Sequence, residues 1–136
     1  MNSMYLPALD GFLTSQINMV SADLRWILTD TGLYVFSSAH QFLSSVPVGA
    51  RASTSATVTG VTVSNGVYDQ NNFTFPTVPV GPSLGAMILY SHTGSDATSR
   101  LIAYVDTVPG LPVVPNGTNI NVTVSTFVFQ LGATCP

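Results

Sequence analysis

Two near-continuous apolar runs stand out along the chain: Ala86, Met87, Ile88, Leu89 and Tyr90, then Leu101, Ile102, Ala103, Tyr104 and Val105. Runs without a polar face predict strands buried on both sides, in the middle of a two-layer structure. The polar stretch 91–100 between them predicts an antiparallel hairpin. A shorter apolar run, residues 24–28, is closed by the turn-forming residues Thr29, Asp30, Thr31 and Gly32. Residues 52–67 are dominated by Thr, Val, Ser and Ala. Gly60 interrupts that stretch, and Asn65-Gly66 marks a tight turn. Phe73 and Phe75 face one way around Thr74, while Pro76 and Pro79 confine that piece to an edge or an extended loop.

Near the C-terminus, Ile120, Val122 and Val124 alternate with Asn121, Thr123 and Ser125. The phase then shifts to Phe127, Phe129 and Leu131. Strict period-two alternation cannot skip a residue, so a bulge near 125–127 or a crossing between layers is expected. The best helical signal lies in residues 1–20. It starts at Pro7, a first-turn proline, with apolar positions at Leu9, Phe12, Leu13, Ile17 and Val20, and Gly11 weakens it. A second helical turn is expected at 40–43, ended by Pro47 and Gly49. The expected architecture is mainly β: a β-sandwich or barrel-like domain with a short accessory N-terminal helix. One domain, 1–136, is expected, with 1–20 as an N-terminal arm or helix and 21–136 as the β core.

Composition changes the picture at the surface. Among 136 residues, charged residues make up 7%, against about 25% in a typical soluble domain. There are three Arg and no Lys, six Asp and no Glu, for a formal net charge of −3. Arg25, Arg51 and Arg100 cannot line a phosphate-tracking groove, so no nucleic-acid partner is expected. No uninterrupted apolar run has the length of a membrane span, so no membrane partner is expected. The N-terminus lacks a basic region, and Asp10 and Gly11 break its apolar stretch, which argues against a signal peptide. The three Asn-x-Thr sequons at Asn72, Asn116 and Asn121 are then coincidence in a chain rich in Asn and Thr. Cys135, the single cysteine, excludes an internal disulfide and a cysteine-based zinc site.

The search for chemistry yields no constellation. The Gly-x-Ser-x-Gly spacing occurs once, at residues 81–85, but a proline-rich stretch precedes it and an apolar strand-like run follows, not the strand-to-helix turn of a nucleophile elbow. His92 shares a loop with Ser91, Ser95 and Asp96, but triad members normally come from separate elements, and a solvated turn accounts for these residues. His40 reads as a ring that caps or packs a local turn. The six Asp are scattered, without a calcium-loop pattern. A pair such as Asp69 with Asp106 is not singled out as a glycosidase dyad by anything in the chain. Asp30, Asp69, Asp96 and Asp106 lie near turn residues, where Asp bonds its own backbone. Gly81-Pro82-Ser83-Leu84-Gly85 lacks the lysine and spacing of a phosphate loop. No catalytic, cofactor-binding or metal-binding residue is assigned, no cofactor is expected, and the chain is expected not to be an enzyme.

A free monomer stays soluble through interspersed charge. An exterior of hydroxyls, amides and apolar atoms suits a protein packed against neighbours, since Lys and Glu are depleted at interface cores. The candidate interface residues are Tyr5, Leu6, Phe12, Leu13, Phe73 and Phe75. The segment Met4-Tyr5-Leu6-Pro7 reads equally as a strap over its own sheet or as an intersubunit arm.

The stretch His40-Gln41-Phe42-Leu43-Ser44-Ser45-Val46-Pro47-Val48-Gly49-Ala50-Arg51 resembles a family of small virion structural proteins of tailed bacteriophages. So does Leu101-Ile102-Ala103-Tyr104-Val105-Asp106-Thr107, followed by Gly110-Leu111-Pro112-Val113 and Pro115-Asn116-Gly117. Phe12-Leu13 and residues 24–28 match the family's opening, so the resemblance covers most of the chain. The absence of Lys and Glu and the Cys135 tail depart from it. The resemblance implies a capsid cement or decoration protein on the outside of the shell. Such a protein would bind the major capsid protein, assemble as a dimer or trimer, and reinforce capsid contacts. A tail adaptor, tube or fibre component is the alternative within the virion. A small hydrolase or carbohydrate-binding module using His40 or His92 is the alternative outside it. On the leading reading, the isolated chain self-associates more readily than an ordinary domain of its size.

Overall fold

The computed structural model describes residues 2–108, 110–123 and 129–130. It is mainly β, built of antiparallel sheets with one short helix near the N-terminus, and no sheet closes into a barrel among the described residues. The apolar runs become the middle of the largest sheet. Strand β1 (Ser3–Met4), β2 (Leu24–Thr29), β3 (Arg51–Thr54), β7 (Ala86–Ser91) and β8 (Arg100–Val105) lie in the order β1-β8-β7-β2-β3. The expected hairpin is β7–β8, in register from Met87 opposite Val105 to Ser91 opposite Arg100, with an irregularity at Leu89/Tyr90. Both strands are buried at five of six positions. Each fully buried Leu or Ile there contributes about 1.5–3 kcal/mol by removal from water, and the hairpin supplies four of them, Ile88, Leu89, Leu101 and Ile102.

Two smaller sheets complete the molecule. Strands β4 (Thr62–Ser64), β5 (Val67–Asp69) and β10 (Phe129–Gln130) form one, and β6 (Phe73–Phe75) with β9 (Ile120–Val122) forms the other. The Asn65-Gly66 turn takes the left-handed backbone at both residues, φ 53° and 77°, which is the turn that matches strand twist. Among the described residues, strand β6 pairs only with β9, and Pro76 follows it directly, in keeping with an edge position. The phase change expected at 125–127 lies outside the described residues.

Each face of the large sheet is covered. On one, Tyr104 packs against Phe36 and Tyr34, with ring centroids 4.7 and 6.3 Å apart. On the other, Trp26 stacks on Phe73 at 5.5 Å and 6°, and Leu28 and Met87 share a cleft with Phe75, Ile120 and Val122. The result is sandwich-like: strands of one sheet covered by a second, smaller one.

Two expected helices differ. Helix α1 spans only Leu6–Leu13, because the chain turns at Ser15, whose backbone is left-handed (φ 64°), and folds back over Gly11. Gln16 and Ile17 donate their backbone N–H groups to the Gly11 carbonyl. A Cβ on Gly11 would lie 2.7 Å from the Ile17 side chain, so this glycine makes room for the returning chain. Ile17 and Val20 therefore follow the helix instead of extending it. The turn expected at 40–43 lies later, as 3₁₀ turns at Leu43–Ser45 and Val48–Ala50. Residues 41 and 42 run beside the start of β8, with Phe42 bridged to Arg100: Leu101 donates to the Gln41 carbonyl and Leu43, the first residue of the turn, donates to the Ser99 carbonyl.

Candidate interaction surface

The few charged side chains serve the fold. Arg51 leaves the start of β3 and donates to the carbonyls of Val46 (3.1 Å from Nε, 2.7 Å from Nη2) and Leu43 (2.8 Å), and to Asp96 at 2.9 Å. It thereby ties both sides of the 43–46 turn to the β7–β8 loop. Arg100 donates to the Pro7 carbonyl at 2.9 Å and to Gln16, fastening α1 to β8. Arg25 makes a two-pronged pair with Asp23 at 3.1 and 3.0 Å. That hydrogen-bonded guanidinium holds the Asp23 carboxyl below the usual carboxylate range. All three cations are thus engaged within their own chain.

The histidines have local partners too. Tyr34 Oη lies 2.8 Å from His40 Nδ1 and 2.9 Å from the Tyr5 hydroxyl. The three side chains form a relay that pins the N-terminal segment to the 34–40 loop. The His92 backbone N–H donates to the Asp23 carbonyl at 2.7 Å, and its Nδ1 is 3.5 Å from Tyr90 Oη. In the loop of Ser91, His92, Ser95 and Asp96, the carboxylate turns to Arg51, and Ser95 accepts from Ser99 through its backbone. All five tyrosines are shifted up in pKa, by burial first of all. Among the described residues, no group of three or more His, Cys, Asp or Glu is placed to hold a metal ion. No helix there is long and apolar enough to cross a membrane.

The six residues singled out from the sequence divide. Tyr5 and Phe75 are fully buried; they are core residues and cannot meet a partner without unfolding. Tyr5 is held there by its bond to Tyr34, and its backbone N–H donates to the Ile102 carbonyl. The segment Met4–Pro7 is thus a strap on its own sheet. Phe73 is half-buried on Trp26, and Phe12 is half-buried at the side of a groove. Only Leu6 and Leu13 project into solvent, Leu13 at 86% exposure.

Other aliphatic side chains are as exposed and were missed: Val20, Leu33, Val35, Val48, Val63, Val80 and Val114. Val63 alternates with Thr62 and Ser64 before the Asn65-Gly66 turn, which sets its face apart from theirs but not that this face meets water. Val80 and Val114 carry no such signal. They lie on two extended segments that clasp each other, Leu84 and Val113 exchanging both backbone bonds and Val78 bonding Gly117 and Thr118, with no periodicity to mark them. A groove of about 370 Å³ is lined by Met4, Phe12, Ile17, Met19, Val63 and Tyr68 among others, none of them charged. No protein-family model matches the chain, and no curated protein matches it.

Proposed function

We propose that this chain is a non-enzymatic structural protein of a tailed-phage virion, acting as a capsid cement that binds the outer shell. The observation that carries the reading is the division of labour on its surface. Every arginine is tied to the chain's own carbonyls or carboxylates, while nine large aliphatic side chains among the described residues stand more than half exposed to solvent. An exterior of this kind is stabilised when covered. Many modest interfaces repeated over a lattice hold a shell by avidity, so no single one needs high affinity. The sequence resemblance gives the reading its place, the virion.

The test is imaging of purified particles together with quantitative mass spectrometry. A copy number on the scale of the major capsid protein, with density on the shell exterior, is the expected result. A copy number matching the tail's symmetry, or absence from particles, overturns the cement assignment.

A further inference from the structure

We propose that the Tyr5–Tyr34–His40 relay is an acid-sensitive latch: a proton on His40 Nδ1 unfastens the N-terminal strap, residues 4–7, from the sheet it covers. The device goes beyond the capsid reading and does not depend on it.

The direction of the relay follows from counting protons. Tyr5 Oη lies 2.9 Å from Tyr34 Oη, which lies 2.8 Å from His40 Nδ1. Tyr5 is fully buried and Tyr34 is 2% exposed. A buried hydroxyl without an acceptor is costly, and Tyr34 is the one partner of the Tyr5 hydroxyl among the described residues. Tyr5 therefore donates to Tyr34, and Tyr34 donates to Nδ1. That arrangement requires the neutral ring with its proton on Nε2. His40 itself is half-buried, so a proton from solvent reaches it. Once Nδ1 is protonated it only donates. Either two donors then face each other across 2.8 Å, or the Tyr34 proton turns to Tyr5 and the Tyr5 proton is left buried without an acceptor. Both arrangements favour opening.

The relay sits where the strap is held. The Tyr5 N–H donates to the Ile102 carbonyl at 3.0 Å, and the Leu6 N–H donates to the Ser38 carbonyl, in the His40 loop, at 2.8 Å. Beneath the strap the Phe36 ring lies 5.2 Å from Tyr5 and 4.7 Å from Tyr104, so opening uncovers an aromatic cluster. The elements joined here are the strap, α1, the 34–40 loop and β8. Besides the relay, their titratable side chains are Tyr104 against Tyr34, Asp10 on α1, Asp30 before the loop, Arg100 at the start of β8 and Asp106 after its end. None of these carboxylates is paired with His40 among the described residues, and Arg100 is turned to the Pro7 carbonyl and Gln16. The open state accepts the His40 proton without stranding a hydroxyl. Opening therefore increases as pH falls, and the latch holds above the range in which histidine titrates.

The experiment is amide hydrogen exchange of the full-length chain, read by NMR at about pH 7 and about pH 5, where histidine changes charge and ordinary carboxylates stay ionised. Rates are corrected for the intrinsic pH dependence of exchange. The Tyr5 and Leu6 amides report the strap, and Ile88 in the central strand β7 reports global unfolding. The expected result is a strap opening constant that rises at least about fivefold toward acid while that of Ile88 holds. His40→Gln should abolish the response. In Tyr34→Phe the Tyr5 proton already lacks its acceptor, so opening is raised at both pH values and no longer responds to acid. Trp26 fluorescence checks that each variant is folded, and His40→Gln decides alone if Tyr34→Phe has lost that signal. A strap that opens equally at both pH values, a rise matched by Ile88, or a rise retained in His40→Gln overturns the latch. A rise retained in a folded Tyr34→Phe chain overturns the relay, because the charge on His40 then acts without it.

Discussion

Replacing Arg51 by alanine tests whether the scarce charges act as internal struts. Its guanidinium supplies both hydrogen bonds that reach the Val46 carbonyl, and Val46 is fully buried. It supplies a third to the Leu43 carbonyl, which also accepts from the Val46 N–H. Losing the donors to a buried acceptor costs about 1–3 kcal/mol, and a weakened second acceptor adds about 1. The ion pair adds little, because Asp96 is 48% exposed and exposed pairs are worth about 0–1 kcal/mol. The expected loss is about 3 kcal/mol, or a fall in Tm of roughly 10 °C for a chain of this size. Urea unfolding followed by the fluorescence of Trp26, the single tryptophan and fully buried, gives the measurement. Asp96→Asn should cost less than about 0.5 kcal/mol, the figure for surface changes. If Asp96→Asn destabilises as much as Arg51→Ala, the ion pair and not carbonyl bonding carries the effect, and the strut argument is wrong.

Two further predictions concern the buried hydroxyls and one turn. All five tyrosines are pushed up by burial, so the unfolded chain loses these protons first. The stability they contribute is complete below the unfolded value of about 10 and declines as pH rises above it. A spectrophotometric titration should therefore show tyrosine ionisation coinciding with alkaline unfolding, and five ordinary titrations in a folded chain would contradict this. Gly60 sits at φ 67°, where an added Cβ would collide with the Asn71 side chain. Gly60→Ala should cost about 1–2 kcal/mol from the left-handed backbone alone, read by urea unfolding, whereas Gly94→Ala, with open space around it, isolates the backbone cost.

The sequence alone determined the strands and their pairing in the centre. Residues 86–90 and 101–105 are apolar on every position, and only a covered central hairpin satisfies such a run. The Asn65-Gly66 turn and the proline-bounded edge at Phe73 were equally legible, because local backbone chemistry fixes them. The weak charge was readable as a number, but not as a set of struts. That Arg51 reaches Asp96 and Arg100 the Pro7 carbonyl depends on segments brought together across 45 and 93 residues of sequence. Tertiary structure also decided the fate of the aromatic residues. Tyr5 and Phe75 look like exposed anchors in the sequence, yet sheet packing turns them inward, while Val63 and Leu13 are left outside. Alternation tells which residues share a face. Which face meets water is decided only when another layer settles on it.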